Sequence, residues 1–127
     1  MSIVHRLERI ERVLCIEPRP ITIGPMVKAY AGRTVARHVC REMGLQVEQL
    51  QGATRDFRVG QARAGIAWLC RRNLGRTLAE IGAINGTPDH SSVAHQLRRA
   101  EEMLANDRTF RQEMDIVSRR LFRKPVA

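Results

Sequence analysis

The residues whose types and spacing could do chemistry lie close together. Asp89-His90-Ser91-Ser92 sets four short polar side chains in succession, just after Asn85-Gly86-Thr87 and just before the apolar Val93. Short donors and acceptors suit the edges of base pairs: a carboxylate accepts from the cytosine N4 amine, while hydroxyls and an imidazole donate or accept. Upstream, Thr54 to Arg76 carries Arg55, Arg58, Arg63, Arg71, Arg72 and Arg76 against the single acid Asp56, a local balance of +5. A guanidinium presents a planar fork of donors that matches phosphate oxygens. Arg55 and Arg58 fall in a polar stretch, Gln51 to Val59, that reads as a loop, and an arginine on a loop can enter a minor groove too narrow for a helix. The whole chain agrees, with 22 Lys and Arg against 13 Asp and Glu, a formal charge of +9, and only Lys28 and Lys124 as lysines. Charge of that size calls for a polyanionic partner.

The elements that must position these residues are helices. Apolar residues recur at three- and four-residue spacing, with almost no alternation of period two. Ile3, Leu7, Ile10 and Leu14 form the stripe of a first helix, and Glu17 to Pro25, with three prolines and a glycine, reads as an arm. Val35, Val39 and Met43 define a second helix that stops at Gly44, and Val47 to Leu50 offers one more turn. A third carries Ala62, Ile66, Leu69 and Cys70 and stops near Asn73 to Gly75. Thr77 can cap a short fourth helix with Leu78, Ile81 and Ile84 on its core face. Asn85-Gly86-Thr87 is a tight turn, after which Thr87 is expected to cap, and Pro88 to open, a fifth helix running to about Ala105 with Val93, Leu97, Ala100 and Leu104 inward. A sixth helix covers roughly Arg108 to Phe122. A short helix, a glycine turn and a longer helix with a polar first turn is the helix-turn-helix arrangement, whose second helix enters the major groove N-terminus first.

At these residues the chain resembles a known family. The run Ile81-Gly82-Ala83-Ile84-Asn85-Gly86-Thr87-Pro88-Asp89-His90-Ser91-Ser92-Val93 is similar to the I-G-x-x-F-G-G-R-D-H-T-T-V stretch of the C-terminal DNA-binding domain of the bacterial replication initiator DnaA, and Gly44 to Leu50 is similar to its G-L-x-V-x-x-L. The likeness extends from Val35 to Leu121. It implies an all-α, Trp-repressor-like helical domain with a helix-turn-helix, to which the stripe at Ile3 to Leu14, outside the resemblance, adds an N-terminal helical extension. It also implies major-groove reading of a nonameric box by Asp89, His90, Ser91 and Ser92, and a minor-groove contact by Arg55. Expected phosphate contacts are Arg58, Arg63, Arg71, Thr87, His95 and Arg99. The chain departs from the family at Pro88, which stands where the family has Arg, at Ser91 and Ser92 in place of two threonines, at Ala79 in place of a proline, and at Asn85 in place of a core aromatic.

Other classes fit poorly. No G-x-x-x-x-G-K-[ST] loop occurs, so the chain reads as the binding domain without the initiator's ATPase. His90 and His95 are five apart and do not share a helical face, and Glu80, Asp89, Glu101 and Glu102 make no paired-carboxylate site, so no enzyme, cofactor or metal is expected. Cys15, Cys40 and Cys70 are odd in number and widely spaced, which suits buried apolar thiols in a reducing cytoplasm. No apolar run reaches the length of a membrane span. The expected organisation is an N-terminal helix and arm over residues 1–30, the DNA-binding domain over 31–122 and a tail over 123–127. The expected partner is double-stranded DNA in the nucleoid, joined by a second copy if the N-terminal stripe pairs. The expected role is that of a transcriptional regulator or a competitor for initiator boxes. An accessory domain of a transposition or phage system and a protein–protein adaptor stand as alternatives.

Overall fold

The computed structural model describes residues 25–52 and 56–126, with side chains from residue 31 onward. Over these residues the chain is all-α. In chain order the elements are α1 (Pro25–Met43), a 3-10 turn (Val47–Gln51), α2 (Phe57–Leu74), α3 (Leu78–Asn85), α4 (His90–Asn106) and α5 (Arg108–Phe122). The expected helix at Ile3 to Leu14 lies outside the described residues, and α1 runs through the boundary expected after residue 30.

The centre of the fold is α2, which packs against α1, α3, α4 and α5. Its Val59, Ala62, Ile66, Ala67, Leu69 and Cys70 are fully buried, joined by Val35 and Val39 of α1, Ile81 of α3, Val93 of α4, and Phe110, Met114 and Val117 of α5. Each aliphatic side chain moved from water into such a core contributes roughly 1.5–3 kcal/mol, which is why the apolar spacing rather than helix propensity dictates the elements. Cys40 and Cys70 are buried free thiols, and burial pushes them up to about 11 and about 12.

Local chemistry starts and stops the helices. Asp56 accepts from the backbone N–H groups of Arg58 (2.8 Å) and Val59 (3.3 Å), so α2 begins at Phe57 and the expected loop of Gln51 to Val59 is shorter than its polarity suggested. Thr77 and Glu80 cap the start of α3 reciprocally, Glu80 N–H donating to Thr77 Oγ1 (3.2 Å) and Thr77 N–H to Glu80 Oε1 (3.1 Å). Gly86 ends α3 with φ 65°, in the left-handed region that glycine occupies without penalty. Gly82 is required for a different reason: a β-carbon there would run into the Thr87 carbonyl, so the turn can fold tightly onto α3 only over a bare backbone. Past α5 the chain folds back, with Val126 buried and its N–H donating to Asp115 Oδ1 (3.0 Å).

The start of α4 corrects the sequence reading. Asp89, not Thr87, is the capping residue, its carboxylate accepting from the Ser91 N–H (3.3 Å) and from the Ser92 hydroxyl (3.1 Å), so Pro88 stands ahead of the helix rather than at its first position. Thr87 is occupied in the turn itself, where its N–H donates to the Gly82 carbonyl (2.8 Å) and its hydroxyl accepts from Gln96 Nε2 (3.1 Å).

Candidate nucleic-acid interface

Helices α3 and α4, joined by residues 86–89, set the polar run at the exposed N-terminal end of α4. Asp89, His90, Ser91 and Ser92 are all exposed, while Val93, one residue on, is fully buried against the core and fixes the rotation of the helix. Ser92, His95, Gln96 and Arg99 follow at intervals of three, one and three residues, so they share one face of α4. That face and the start of α2 form the two walls of an open groove of about 500 Å³. Ser91, Ser92, His95, Gln96 and Arg99 line one wall, and Asp56, Phe57, Gly60 and Arg63 the other. His90 lines a second hollow, of about 420 Å³, together with Thr87, Pro88 and small residues of α3.

A polar layer beneath the surface holds this arrangement. Asn85 is fully buried, and its Nδ2 donates to the Arg63 carbonyl of α2 (2.9 Å) and to Gln96 Oε1 of α4 (3.2 Å). Gln96 passes the link on to Thr87, so α2, α3, the turn and α4 are tied by one chain of hydrogen bonds. Asn85 Oδ1 is buried without a partner. An unpaired buried acceptor costs on the order of 1–3 kcal/mol, a price met by the three elements that Asn85 joins.

The arginines divide into groups that their sequence positions did not separate. Arg58 is held by Glu113 of α5, Nη2 to Oε2 at 2.8 Å, and also donates to Gln61 Oε1 (2.8 Å), and the bond to Glu113 raises its pKa. Arg63 donates to the carbonyls of Leu50 (2.8 Å) and Gly52 (2.6 Å), closing the end of the 3-10 turn from which the basic loop departs. Arg71 donates to the Arg76 carbonyl (2.8 Å), and Arg72 lies over the Trp68 ring at 4.8 Å. Arg76 is only 2% exposed and pairs with Glu80 (3.0 Å). Arg58 and Arg76 therefore spend their charge on acids within the fold, and the local balance of +5 overstates what faces solvent. Arg99 lies with its guanidinium 5.2 Å from the centre of the Phe57 ring, in the groove. Arg55 lies outside the described residues.

Of the expected contacts, the groove thus brings together Ser91, Ser92, His95, Arg99 and Arg63. Asp89, His90 and Thr87 do not line it and lie on the turn and at the start of α4, Arg71 lies at the C-terminal end of α2, and Arg58 faces α5. The sequence reading missed Phe57, Gly60 and Gln96. Gln96 could have been found from its four-residue spacing to Ser92. Phe57 and Gly60 carry no polar signal and belonged to a stretch read partly as loop.

Among the described residues no helix is long and apolar enough to cross a membrane, and no group of His, Cys, Asp and Glu could hold a metal ion.

Comparison with known proteins converges on one family. The bacterial DnaA protein helix-turn-helix family matches residues 33–100. Similar relatives are chromosomal replication initiator proteins DnaA, one from Gluconobacter oxydans, 23% identical over 94% of this chain and 26% of the relative, and one from Thermomicrobium roseum, 28% identical over 91% of this chain and 28% of the relative. A third, from Caulobacter sp., is 30% identical over 61% of this chain and 16% of the relative. The chain spans about a quarter of the length of the first two. No solved structure matches it significantly.

Proposed function

The chain belongs to the bacterial DnaA helix-turn-helix family, and from that premise we propose that it binds duplex DNA in a sequence-dependent way through α4 and the groove beside it. The observation that carries the reading is the exposure of Asp89 to Ser92 at the free end of a helix whose next residue, Val93, is locked in the core. A helix held in that way can insert its first turn into a major groove without paying to reorganise. His90, Ser91 and Ser92 read base edges, Asp89 reads one while capping the helix, and Arg55 takes the neighbouring minor groove. Of the phosphate contacts, His95 and Arg99 face the groove directly. Arg63, Arg71 and Thr87 act mainly by holding the backbone that frames it, and the pairing with Glu113 argues for taking Arg58 off the DNA surface.

Regulation of transcription, or occupation of initiator boxes in competition with the initiator, is the role that fits a domain of this family with the +9 charge of this chain. In this reading the protein acts in the cytoplasm, on the nucleoid. The domain division at residues 30 and 122 remains part of the proposal, and so does pairing of two copies through Ile3, Leu7, Ile10 and Leu14, which lie outside the described residues. Selection of bound duplexes from a random pool tests the central claim. Enrichment of a common motif supports it, and comparison of that motif with the initiator's box separates competitor from independent regulator. Recovery of no motif refutes sequence-dependent binding. Light scattering on the wild type and Leu7→Asp tests pairing, which requires a dimer that the substitution dissociates.

A further inference from the structure

Arg99 is held from two sides by groups that make no other use of it. The Phe57 ring, 65% exposed on the opposite wall of the groove, lies under its guanidinium at 5.2 Å. Gly60, one turn further along α2, lies close enough that a β-carbon placed there would meet Arg99 Nη1 at 2.7 Å, and the three atoms nearest to such a β-carbon all belong to the Arg99 guanidinium. Asp56, the acid in the same wall, is engaged in capping α2. No group among the described residues accepts a hydrogen bond from Arg99. An exposed aromatic ring and a bare backbone therefore form a shallow cradle across the groove from Ser92 and His95, with a charged donor laid in it.

We propose that Phe57 and Gly60 are positioning residues that hold the Arg99 guanidinium toward a DNA phosphate at the mouth of the groove. This inference rests on the duplex-binding reading above. A stacked guanidinium keeps its in-plane N–H donors available, whereas a carboxylate partner would consume them. Holding the side chain in advance also removes the rotamer entropy that a long arginine otherwise loses when it meets a phosphate.

The two positions allow perturbation from opposite sides. Phe57→Ala removes the ring, and Gly60→Ala displaces the guanidinium while favouring the α2 helix, so the second change should hold or raise the melting temperature. Binding of the full chain to a random-sequence duplex would be followed as a function of salt. Arg99→Ala should flatten the slope of log K against log salt by about 0.9, the release of one phosphate's counterion. Phe57→Ala and Gly60→Ala should each weaken binding by roughly twofold to fivefold, the worth of an exposed cation–π contact, and flatten the slope in the same direction. Phe57→Tyr should restore both, and neither alanine change should add to Arg99→Ala. Wild-type slopes in Phe57→Ala and Gly60→Ala beside a flattened slope in Arg99→Ala would overturn the cradle alone. A wild-type slope in Arg99→Ala would remove the phosphate contact, and a fall in melting temperature for Gly60→Ala would show that the β-carbon meets more than Arg99. A wild-type protein whose affinity ignores salt would instead sink the duplex-binding reading itself.

Discussion

Asp89 caps α4 and, in the proposed function, also meets a base edge, and replacing it separates the two. Its carboxylate accepts from the Ser91 N–H and the Ser92 hydroxyl, so Asp89→Ala removes the cap of α4 and frees the Ser92 hydroxyl. A lost cap costs about 1 kcal/mol, and the loss of a negative charge at a helix N-terminus adds roughly 0.3–1 kcal/mol. For a chain of this size that total of about 1–2 kcal/mol corresponds to a fall in melting temperature of roughly 4–10 °C. Asp89→Asn keeps an oxygen that can cap and forfeits only the charge, so its melting temperature should fall by less than half as much. On DNA the order reverses in kind. The carboxamide offers a base edge a donor where the carboxylate only accepts, so Asp89→Asn should alter the ratio of cognate to scrambled affinity by about 1–3 kcal/mol, although the helix remains capped. The assay is thermal unfolding by circular dichroism paired with titration of a selected duplex and its scrambled counterpart. Equal melting temperatures for wild type and Asp89→Ala would refute the cap, and an unchanged affinity ratio for Asp89→Asn would confine Asp89 to a structural role.

Other outcomes follow from the same geometry. Arg58→Ala should lower stability by about 1 kcal/mol, measured by urea titration, and leave the salt slope of DNA binding unchanged, because its partner is Glu113 rather than solvent. Gln96→Ala should cost about 1–3 kcal/mol in the same titration, since it leaves Asn85 Nδ2 with one acceptor and Thr87 without its donor; an unaltered midpoint would show that the buried chain of bonds contributes nothing. His38 is held below its usual value near 6.5 by desolvation and by Arg120, Arg41 and Arg37, so its neutral form is favoured in the fold. Stability should therefore fall as pH drops below about 6.5, where the unfolded chain takes up a proton that the folded chain resists. His38→Gln should flatten that limb, whereas the loss tied to Glu80 and Asp115, whose carboxyls are held below their usual values by hydrogen bonds, should persist as pH falls below about 4.5. Cys40 and Cys70, with thiols raised to about 11 and about 12, should resist alkylation at pH 8 until the protein unfolds, a contrast visible by mass spectrometry.

Most of the helices were legible because each declares itself locally. Val35, Val39 and Met43, or Leu78, Ile81 and Ile84, are spaced as a helix face requires, and Gly44, Gly75 and Gly86 stand where the chain turns left-handed. The free charge of the basic segment was not legible in the same way. Arg58 meets Glu113 across 55 positions of sequence, and a local count of charges contains nothing of that partner. The start of α4 was misplaced because Thr87 and Asp89 are both good capping residues with Pro88 between them. The choice is made by Gln96, which donates to the Thr87 hydroxyl and so engages it in the turn. Phe57 escaped notice because an aromatic residue reads as core unless the structure shows it standing out of the surface.

These misses share a physical origin, and it bears on how the DNA face is held. His90, Ser91 and Ser92 can be exchanged one by one at little cost to the fold, since Val93 anchors α4 and Asp89 caps it. The groove wall is different. Thr87 is tied to Gln96, Gln96 to Asn85, and Asn85 to the backbone of Arg63, whose side chain in turn closes the 3-10 turn ahead of the basic loop. The seating of α4 and the end of the 3-10 turn are thereby tied together by one buried polar chain. An apolar side chain at position 85, as in the resembling family, would fill the same space without linking those parts. Here the seating of α4 against α2 and α3 depends on hydrogen bonds that have direction, and Asn85 Oδ1, left unpaired in the core, is the cost of that linkage. Asn85→Leu should accordingly spare most of the stability, since it removes an unsatisfied acceptor along with two bonds, yet reduce discrimination between selected and scrambled duplexes. Discrimination kept at the wild-type level in a stable Asn85→Leu protein would show that packing alone seats α4.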